Sequence, residues 1–408
     1  MGHERHDLDV PASERRCTTC GRQKARIGED VTHQLAYVPA HFVEHEYHRP
    51  RYACGNCKDG VTTAPAPASV AGCAADASLL AHVVVSKFAD HTPLHRQQGI
   101  YARSGVTIPV STLADWVGTV GTVVAPLVET LAGRVLQATV VRTDATGLKV
   151  LDPASEAHIE RGTMWCYVGD DRDVVFRYTP TGDGASGPWR FLAGRRGYVQ
   201  ADAASVFDRL FTGQAASAIE VGCWAHGRRR FVALQGTDCR VAYPLQLIGR
   251  LYRVERLADA QGLAPEARAA LRQERSQRIL EKLHRWLVPT LAGEPPSSDL
   301  AQAAGYLLNH WTALTRFVSA GRLSLDNNCC EQQLRAIALG RKNYLFAGSH
   351  AAAERAAGLY SLLRTCAQHG AAPLPYLTDV LRQLSARSRP DSLEALLPDR
   401  WQAAHPTA

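Results

Sequence analysis

Long apolar runs are missing from this chain: none approaches the roughly 20 residues that a helix needs to cross a bilayer. The charged, histidine-bearing N-terminus also lacks an apolar signal region, so a cytoplasmic location and no membrane partner are the expectation. Neither sign of charge is in large excess. Lys and Arg number 46 against 39 Asp and Glu, and the resulting +7 suits a polyanionic partner without demanding one. The cysteines lack an even count: eleven, spread over 408 residues, argue against a secreted disulfide framework. No internal repeat is visible. What is present, 46% apolar and 21% charged residues, is the composition of a globular protein long enough for two or three domains.

Four cysteines stand apart. Cys17-Thr-Thr-Cys20 and Cys54-Gly-Asn-Cys57 are two C-x-x-C turns with 33 residues between them, and two such turns can close a tetrahedral zinc site. The competing reading is a set of reduced cysteines or a redox dithiol. Residues 1–61 therefore read as a small zinc ribbon, with the histidines of HFVEHEYH (41–48) as exposed loop residues. The other seven cysteines read mostly as small buried hydrophobes. A Pro/Ala/Thr stretch, TTAPAPAS (62–69), marks a linker.

From 78 to 133 the apolar spacing is helical, and Ser111 reads as a cap. The segment 62–135 is either a DNA-reading helix-turn-helix or a helical pair that packs on the core. From about 136 short strands follow. The run at 138–141 continues into Arg142, Thr143 and Asp144 and then a turn, so Asp144 is expected at a strand end. Thr163–Val168 and Val174–Tyr178 read as a hairpin; Gly197–Asp202 is a strand ending in a second acid, with a helix expected over 203–211. Ala218–Val221 is a further strand, leading into Cys223-Trp-Ala-His226, which reads as structural near the core. Arg228, Arg229 and Arg230 continue on a helix, facing either phosphate or water. Residues 235–321 form a helical insertion broken at Pro289 and Pro295-Pro296, with Trp286 and Trp311 as core anchors.

The densest chemistry lies in LDNNCCEQQLRAIALGRKNYLFA, residues 325–347. Asp326, Asn327 and Asn328 can cap a helix that carries Glu331 in its first or second turn, facing Arg335 at i+4, with Gly340 as the stop and Arg341 and Lys342 beyond. One Glu/Arg pair is ordinarily a weak surface salt bridge. A carboxylate among amides and cations also suits a metal and phosphates. Helices are expected over 351–369 and 373–384, and a weakly structured tail beyond 388.

With TDATGLKVLD, QADAASVFDRLF, CWAHGRRRF, LDNNCCEQQLRAIALGRKNYLFAGS, AAAERAAGLYSLLRTC and PYLTDVL in that order, the chain resembles transposases of bacterial insertion-sequence family sixty-six, from about Cys17 to Pro398. The resemblance implies an α/β protein: a ribonuclease-H-like mixed-sheet core over 136–388 with the helical insertion, preceded by the zinc ribbon and a helical segment, and followed by a tail at 389–408. It implies that Asp144, Asp202 and Glu331 are the acids of a DDE triad holding Mg2+ or Mn2+, and that Cys17, Cys20, Cys54 and Cys57 hold Zn2+. Arg335, Arg341, Lys342, Arg228 and Arg229 are the candidates for binding DNA phosphates. The implied partners are element terminal repeats and target DNA, further copies of the chain in the active complex, and accessory proteins of the element. The implied reaction is cleavage at element ends followed by strand transfer. Three departures accompany it. Ala145 stands where the family usually has an acid, Ala203-Ala204 replace Gly-Tyr, and the first cysteine comes at 17, where family members usually carry a helical segment first. The last leaves a catalytically silent DNA-binding remnant as the alternative, beside a structure-selective nuclease on the same core.

Overall fold

The computed structural model describes residues 14–406 except 25, 27–30, 34–39, 55, 57–60, 213–215, 217 and 387–391. It divides into two units, Met1–His45 and Glu46–Ala408. In the first, a tight turn is closed by the Cys17 N–H donating to the Arg22 carbonyl (2.8 Å) and the Gly21 N–H to the Cys17 carbonyl (2.9 Å), with an antiparallel bridge from Arg16 to Gln23. Gly21 takes φ +70 there, a conformation that glycine adopts without strain.

The second unit begins with a short antiparallel pair, β1 (Arg51–Ala53) and β2 (Val61–Thr63). Four helices follow: α1 (Ala77–Phe88), α2 (Leu94–Arg103), α3 (Val110–Val123) and α4 (Ala125–Gln137). Then comes a five-stranded sheet in the order β5-β4-β3-β6-β7. Its strands are β3 (Val140–Leu151), β4 (Ile159–Gly169), β5 (Asp173–Thr179), β6 (Gly197–Gln200) and β7 (Ala218–Val221), with α5 (Pro188–Phe191) before β6. β3 pairs antiparallel with β4 and parallel with β6, and β6 parallel with β7, so β4 runs against the rest. The central strands are buried on both faces, and their near-continuous apolar runs, Val140-Val141 and Met164–Val168, reflect that.

Beyond the sheet lie α6 (Trp224–Val232), α7 (Ala242–Ala260), α8 (Pro265–Leu271), a π-helical turn at Arg272–Ser276, α9 (Gln277–Gly293), α10 (Asp299–Asn309) and α11 (Trp311–Thr315). The chain returns through α12 (Asn328–Tyr344), α13 (His350–His369), α14 (Pro373–Ser385) and α15 (Pro398–Ala404). One apolar cluster unites α1, α4, the sheet, α12, α13 and the C-terminal helices; a second holds the insertion together around Trp224, Leu247, Leu283 and Phe317. The exposed edge of β5 is closed by α13. The Val174 N–H donates to Thr365 Oγ1 (3.0 Å) and the Phe176 N–H to Ser361 Oγ (2.8 Å), so two backbone donors that face no neighbouring strand are satisfied.

Several sequence expectations change. β3 does not end at Asp144 but runs through it to Leu151, because its far half pairs with β4 from Ala145↔Trp165 to Leu151↔Ile159. The expected helix at 203–211 is a 3-10 helix, Ser205–Leu210. Gly340 is inside α12 rather than at its end; a Cβ there would collide with the Tyr344 and Tyr360 hydroxyls, so the glycine permits close packing. Pro289 sits within α9 on an exposed face, where the carbonyl it leaves unpaired meets water. The helix after the 104–109 turn is preceded by Pro109 as its cap rather than by Ser111. Cys239 is exposed, whereas Cys166, Cys223, Cys330 and Cys366 are buried. The tail is folded: Trp401 is buried, and its indole N–H donates to Asp379 Oδ2 (2.7 Å). No single helix among the described residues is long and apolar enough to cross a membrane.

Candidate active site

The sheet register sets the first two acids side by side. Arg142 of β3 lies opposite Gln200 of β6; Asp144 follows two residues on within β3, and Asp202 two residues on, just past the end of β6, near enough for its charge to act on the Asp144 carboxyl. Glu331 reaches the same place from the first turn of α12, which packs on β3 and β4. Asp144 is influenced by the charges of both other acids.

A buried polar frame holds α12 there. Arg142 Nε donates to Gln200 Oε1 (2.9 Å) and Arg142 Nη2 to Ser324 Oγ (2.6 Å). Gln200 Nε2 donates to the carbonyls of Gly222 (3.1 Å) and Ser324 (3.0 Å). Asn327, fully buried, donates from Nδ2 to the Thr143 carbonyl (2.9 Å) and from its backbone to Cys223 Sγ (3.3 Å). These bonds tie the segment before Glu331 to β3, β6 and β7. Buried polar groups require such partners, and here the partners fix the helix that delivers the acid.

The electrostatics are those of an uncompensated acid cluster. Burial pushes the Asp144 carboxyl up to about 6, with the charges of Asp202 and Glu331 adding to the shift against a lowering bond from the Ala145 N–H. Glu331 Oε1 is buried without a hydrogen bond. The nearest basic side chains are His226, with Nε2 at 3.7 Å, and Arg229, with Nη2 at 3.8 Å, both too far to hydrogen-bond. The metal-free protein therefore has a signed pH dependence. The folded state keeps the Asp144 proton up to about pH 6 while the unfolded chain releases it near the ordinary aspartate value of 3.8, so stability is full below that value and is lost as pH rises towards 6. Replacing Asp144 by Asn should raise stability in chelator above pH 6 by about 2–3 kcal/mol and change little below pH 4. Denaturant titrations at the two pH values measure this, and an unchanged difference between them would refute it.

The structure places the other sequence candidates unevenly. Glu331 pairs with His226 and Arg229 rather than with Arg335, which is exposed one turn along α12. Arg341 is half-buried and donates to the Gly147 carbonyl; Lys342 and Arg228 are exposed. Cys17 and Cys20 lie in the N-terminal turn, where backbone N–H groups of Cys20 and Thr19 hold the Cys17 thiol below its usual range. Cys54 is exposed after β1, and Cys57 lies outside the described residues. Sequence reasoning gave Arg142 and Gln200 no part in the site, took Asn327 only as a helix cap, which it is, and read His226 as structural near the core. A lone arginine in an apolar strand was the available signal for the first, and the Cys223-to-His226 spacing at a helix start was the signal for the last. Away from this site, at the far end of β3, Asp152, Glu160 and His350 bring ligand atoms within 4.8 Å of one another, with the Tyr178 hydroxyl on His350 Nδ1 at 2.8 Å.

Comparison with known families defines the class first: the chain is a nucleic-acid-processing enzyme by its DDE transposase domain. Residues 72–355 match the family described as "Transposase IS66 family", and residues 14–58 match the "zinc-finger binding domain of transposase IS66". The chain belongs to the IS66 transposase family, with a zinc-finger domain at its N-terminus. Three similar proteins of Sinorhizobium fredii are all named as uncharacterized. Protein y4qI is 34% identical over 406 residues, 96% of this chain and 74% of its own. Protein y4hP is 31% identical, covering 98% of this chain and 75% of its own, and y4jD is 33% identical, covering 98% and 80%.

Proposed function

We propose that this chain is a DNA transposase that cuts phosphodiester bonds at the ends of its element and joins them to target DNA. One observation carries the reading: three carboxylates, from within β3, just past β6 and the start of α12, act on one another, with Asp144 forced up to about 6 and Glu331 Oε1 buried without a hydrogen bond. A set of hard oxygen donors with unmet charge fits divalent magnesium or manganese. Asp144, Asp202 and Glu331 would hold the ions. Bound there, they supply Lewis acidity at the phosphate and an activated oxygen nucleophile. The chain's own groups do the rest. Arg229 and His226 steady the Glu331 carboxylate, and the Arg142–Gln200–Asn327 frame fixes the height of α12. Arg335 and Lys342 lie 4 and 11 residues beyond Glu331 on one stripe of that helix, about 6 and 16 Å along its axis, so both can take up phosphates of a strand lying along it. Arg228 and the remaining donors of Arg341 extend that surface.

The strand order supports a ribonuclease-H-like core: three antiparallel strands laid down in succession, then two parallel ones added beside the first. The single apolar cluster from Val70 to Trp401 favours counting the helices of 62–135 and the C-terminal helices as part of the catalytic body, beside a zinc ribbon at 1–61. Cys17, Cys20, Cys54 and Cys57 are the zinc ligands in this proposal, and the lowered Cys17 thiol suits a thiolate ligand. Joining two element ends calls for more than one copy of the chain on DNA.

The test is cleavage of DNA bearing the terminal repeats that flank the gene, with magnesium or manganese. Cuts at the repeat ends support the proposal. Cuts that follow DNA shape regardless of repeats would make the chain a nuclease, and binding without any cut would make it a silent remnant. Replacing His226 by Ala should raise the metal concentration needed for half-maximal cleavage by about 10- to 100-fold and leave the rate at saturating metal much less affected. A metal titration of the two proteins checks this; equal midpoints would remove His226 from the site.

A further inference from the structure

The insertion carries a groove that the catalytic reading does not use. α7 presents Tyr243, Gln246, Leu247 and Arg250 at i, i+3, i+4 and i+7, a single face; α9 answers with Lys282, Arg285 and Trp286. Between them lies an open groove of about 660 Å³. Three cations and no acid line it, and among the described residues none of the three is ion-paired. Where the groove continues past Trp286, Arg240 is neutralised by Asp238 (2.7 Å) and Glu294 (2.5 Å), which leaves Arg285, shared by both parts, as the one unpaired cation there among the described residues. The unneutralised positive charge is therefore concentrated at one end.

The aromatic residues are placed to use it. Trp286 is half-buried and backed by Phe231 at 6.3 Å, which holds its ring in place, while Tyr243 is 43% exposed with its ring 6.2 Å from that of Trp286. Two rings beside three cations that no carboxylate neutralises match alternating bases and phosphates. An acidic peptide would use the cations but leave the rings without a planar partner. The Tyr243–Arg250 face is about 10 Å long, room for about three nucleotides. It also belongs to the active-site body: α6, which carries His226 and Arg229, packs on α7, and Tyr252 of α7 lies beside Asp326 at the start of the Glu331 segment.

We propose that the α7–α9 groove binds a single strand of DNA, with phosphates on Arg250, Lys282 and Arg285 and a base against Trp286 and Tyr243. The proposal rests on the transposase reading and adds a binding surface to it. The test uses the full chain with no magnesium or manganese added, so that nothing is cut, with a fluorescent oligodeoxythymidine as probe, titrated at several salt concentrations. Arg250→Gln, Lys282→Gln and Arg285→Gln together should weaken binding by about 10- to 100-fold and lower the salt slope by about two, as expected for the loss of three phosphate contacts to a single strand. A charge-matched control, Arg161→Gln with Arg172→Gln and Arg190→Gln, exposed on the sheet side, should leave the slope unchanged. Trp286→Ala should cost about tenfold or more, and Trp286→Phe should recover most of it; unchanged melting of the charge variants confirms folding.

Equal losses in the groove variant and the control overturn the proposal, as does displacement of the probe by polyglutamate as readily as by unlabelled DNA. Failure of the unaltered chain to bind any DNA, including duplex with the terminal repeats, overturns the transposase reading as well. Duplex binding and cleavage that survive in a chain unable to bind the probe overturn the groove alone.

Discussion

Glu331→Gln is expected to lower metal-dependent cleavage of terminal-repeat DNA by about a thousandfold or more, with DNA binding retained. The substitution keeps the volume and one carbonyl oxygen and removes the charge. A cation bound by three acids loses a third of its neutralising charge, and several kcal/mol of transition-state stabilisation go with it; about 4 kcal/mol is a thousandfold. The fold should tolerate the change well. Glu331 Oε1 makes no hydrogen bond, and His226 Nε2 and Arg229 Nη2 lie at 3.7 and 3.8 Å, so little is broken. In chelator the variant should be no less stable than the unaltered protein, because one of the charges opposing the ionised Asp144 is gone. Cleavage assays paired with binding assays decide it. Activity within tenfold of the unaltered chain would remove Glu331 from the site.

The second large effect lies away from the acids. Arg272, 0% exposed in the π-helical turn, donates from Nε to Glu255 Oε1 (2.8 Å) and from Nη2 to Glu255 Oε2 (2.6 Å). Its other N–H groups reach the carbonyls of Phe317 (2.8 Å), Ala320 (2.9 Å) and Leu323 (2.8 Å). One guanidinium thus stitches α7 to the loop that leads into α12. Arg272→Met should destabilise the chain by about 3–5 kcal/mol, since buried Glu255 keeps only the longer 3.2 Å bond from Arg268 and the three loop carbonyls lose their donor. Adding Glu255→Met should restore part of that, the three loop carbonyls remaining without their donor. Urea unfolding of the two variants measures both, and a single-variant loss under about 1 kcal/mol would contradict the account. Because Leu323 precedes Ser324 and Asn327 in the site frame, cleavage should fall with stability in this variant, unlike in Glu331→Gln.

The parts of the fold legible in the sequence were those governed by local pattern. Ala218–Val221 is a strand as read, and the hairpin of Thr163–Val168 and Val174–Tyr178 is there with extended ends. The errors came where tertiary pairing overrode local signals. The turn-like Ala145-Thr146-Gly147 is carried through as strand because β4 supplies a partner for each residue. Gly340 looked like a stop because a helix end is the commonest use of such a glycine; the Tyr344 and Tyr360 hydroxyls that give it another use are 4 and 20 residues away. The site followed the same division. The three acids could be chosen from motifs, but nothing local pairs Arg142 with Gln200, 58 residues on, or brings His226 to Glu331. Such pairings belong to the register of the sheet and the path of the insertion.

That path has a consequence in time. Asp144 and Asp202 emerge early in synthesis, whereas Glu331 follows Asp202 by 129 residues, most of them the insertion. At about 5–20 residues per second, a nascent chain spends on the order of ten seconds with two acids made and the third still to come. The frame around Ser324 and Asn327 that seats α12 is translated only just ahead of Glu331. The acid cluster is thus complete only once Glu331 has been made, and no ribosome-bound fragment that stops before it carries all three carboxylates.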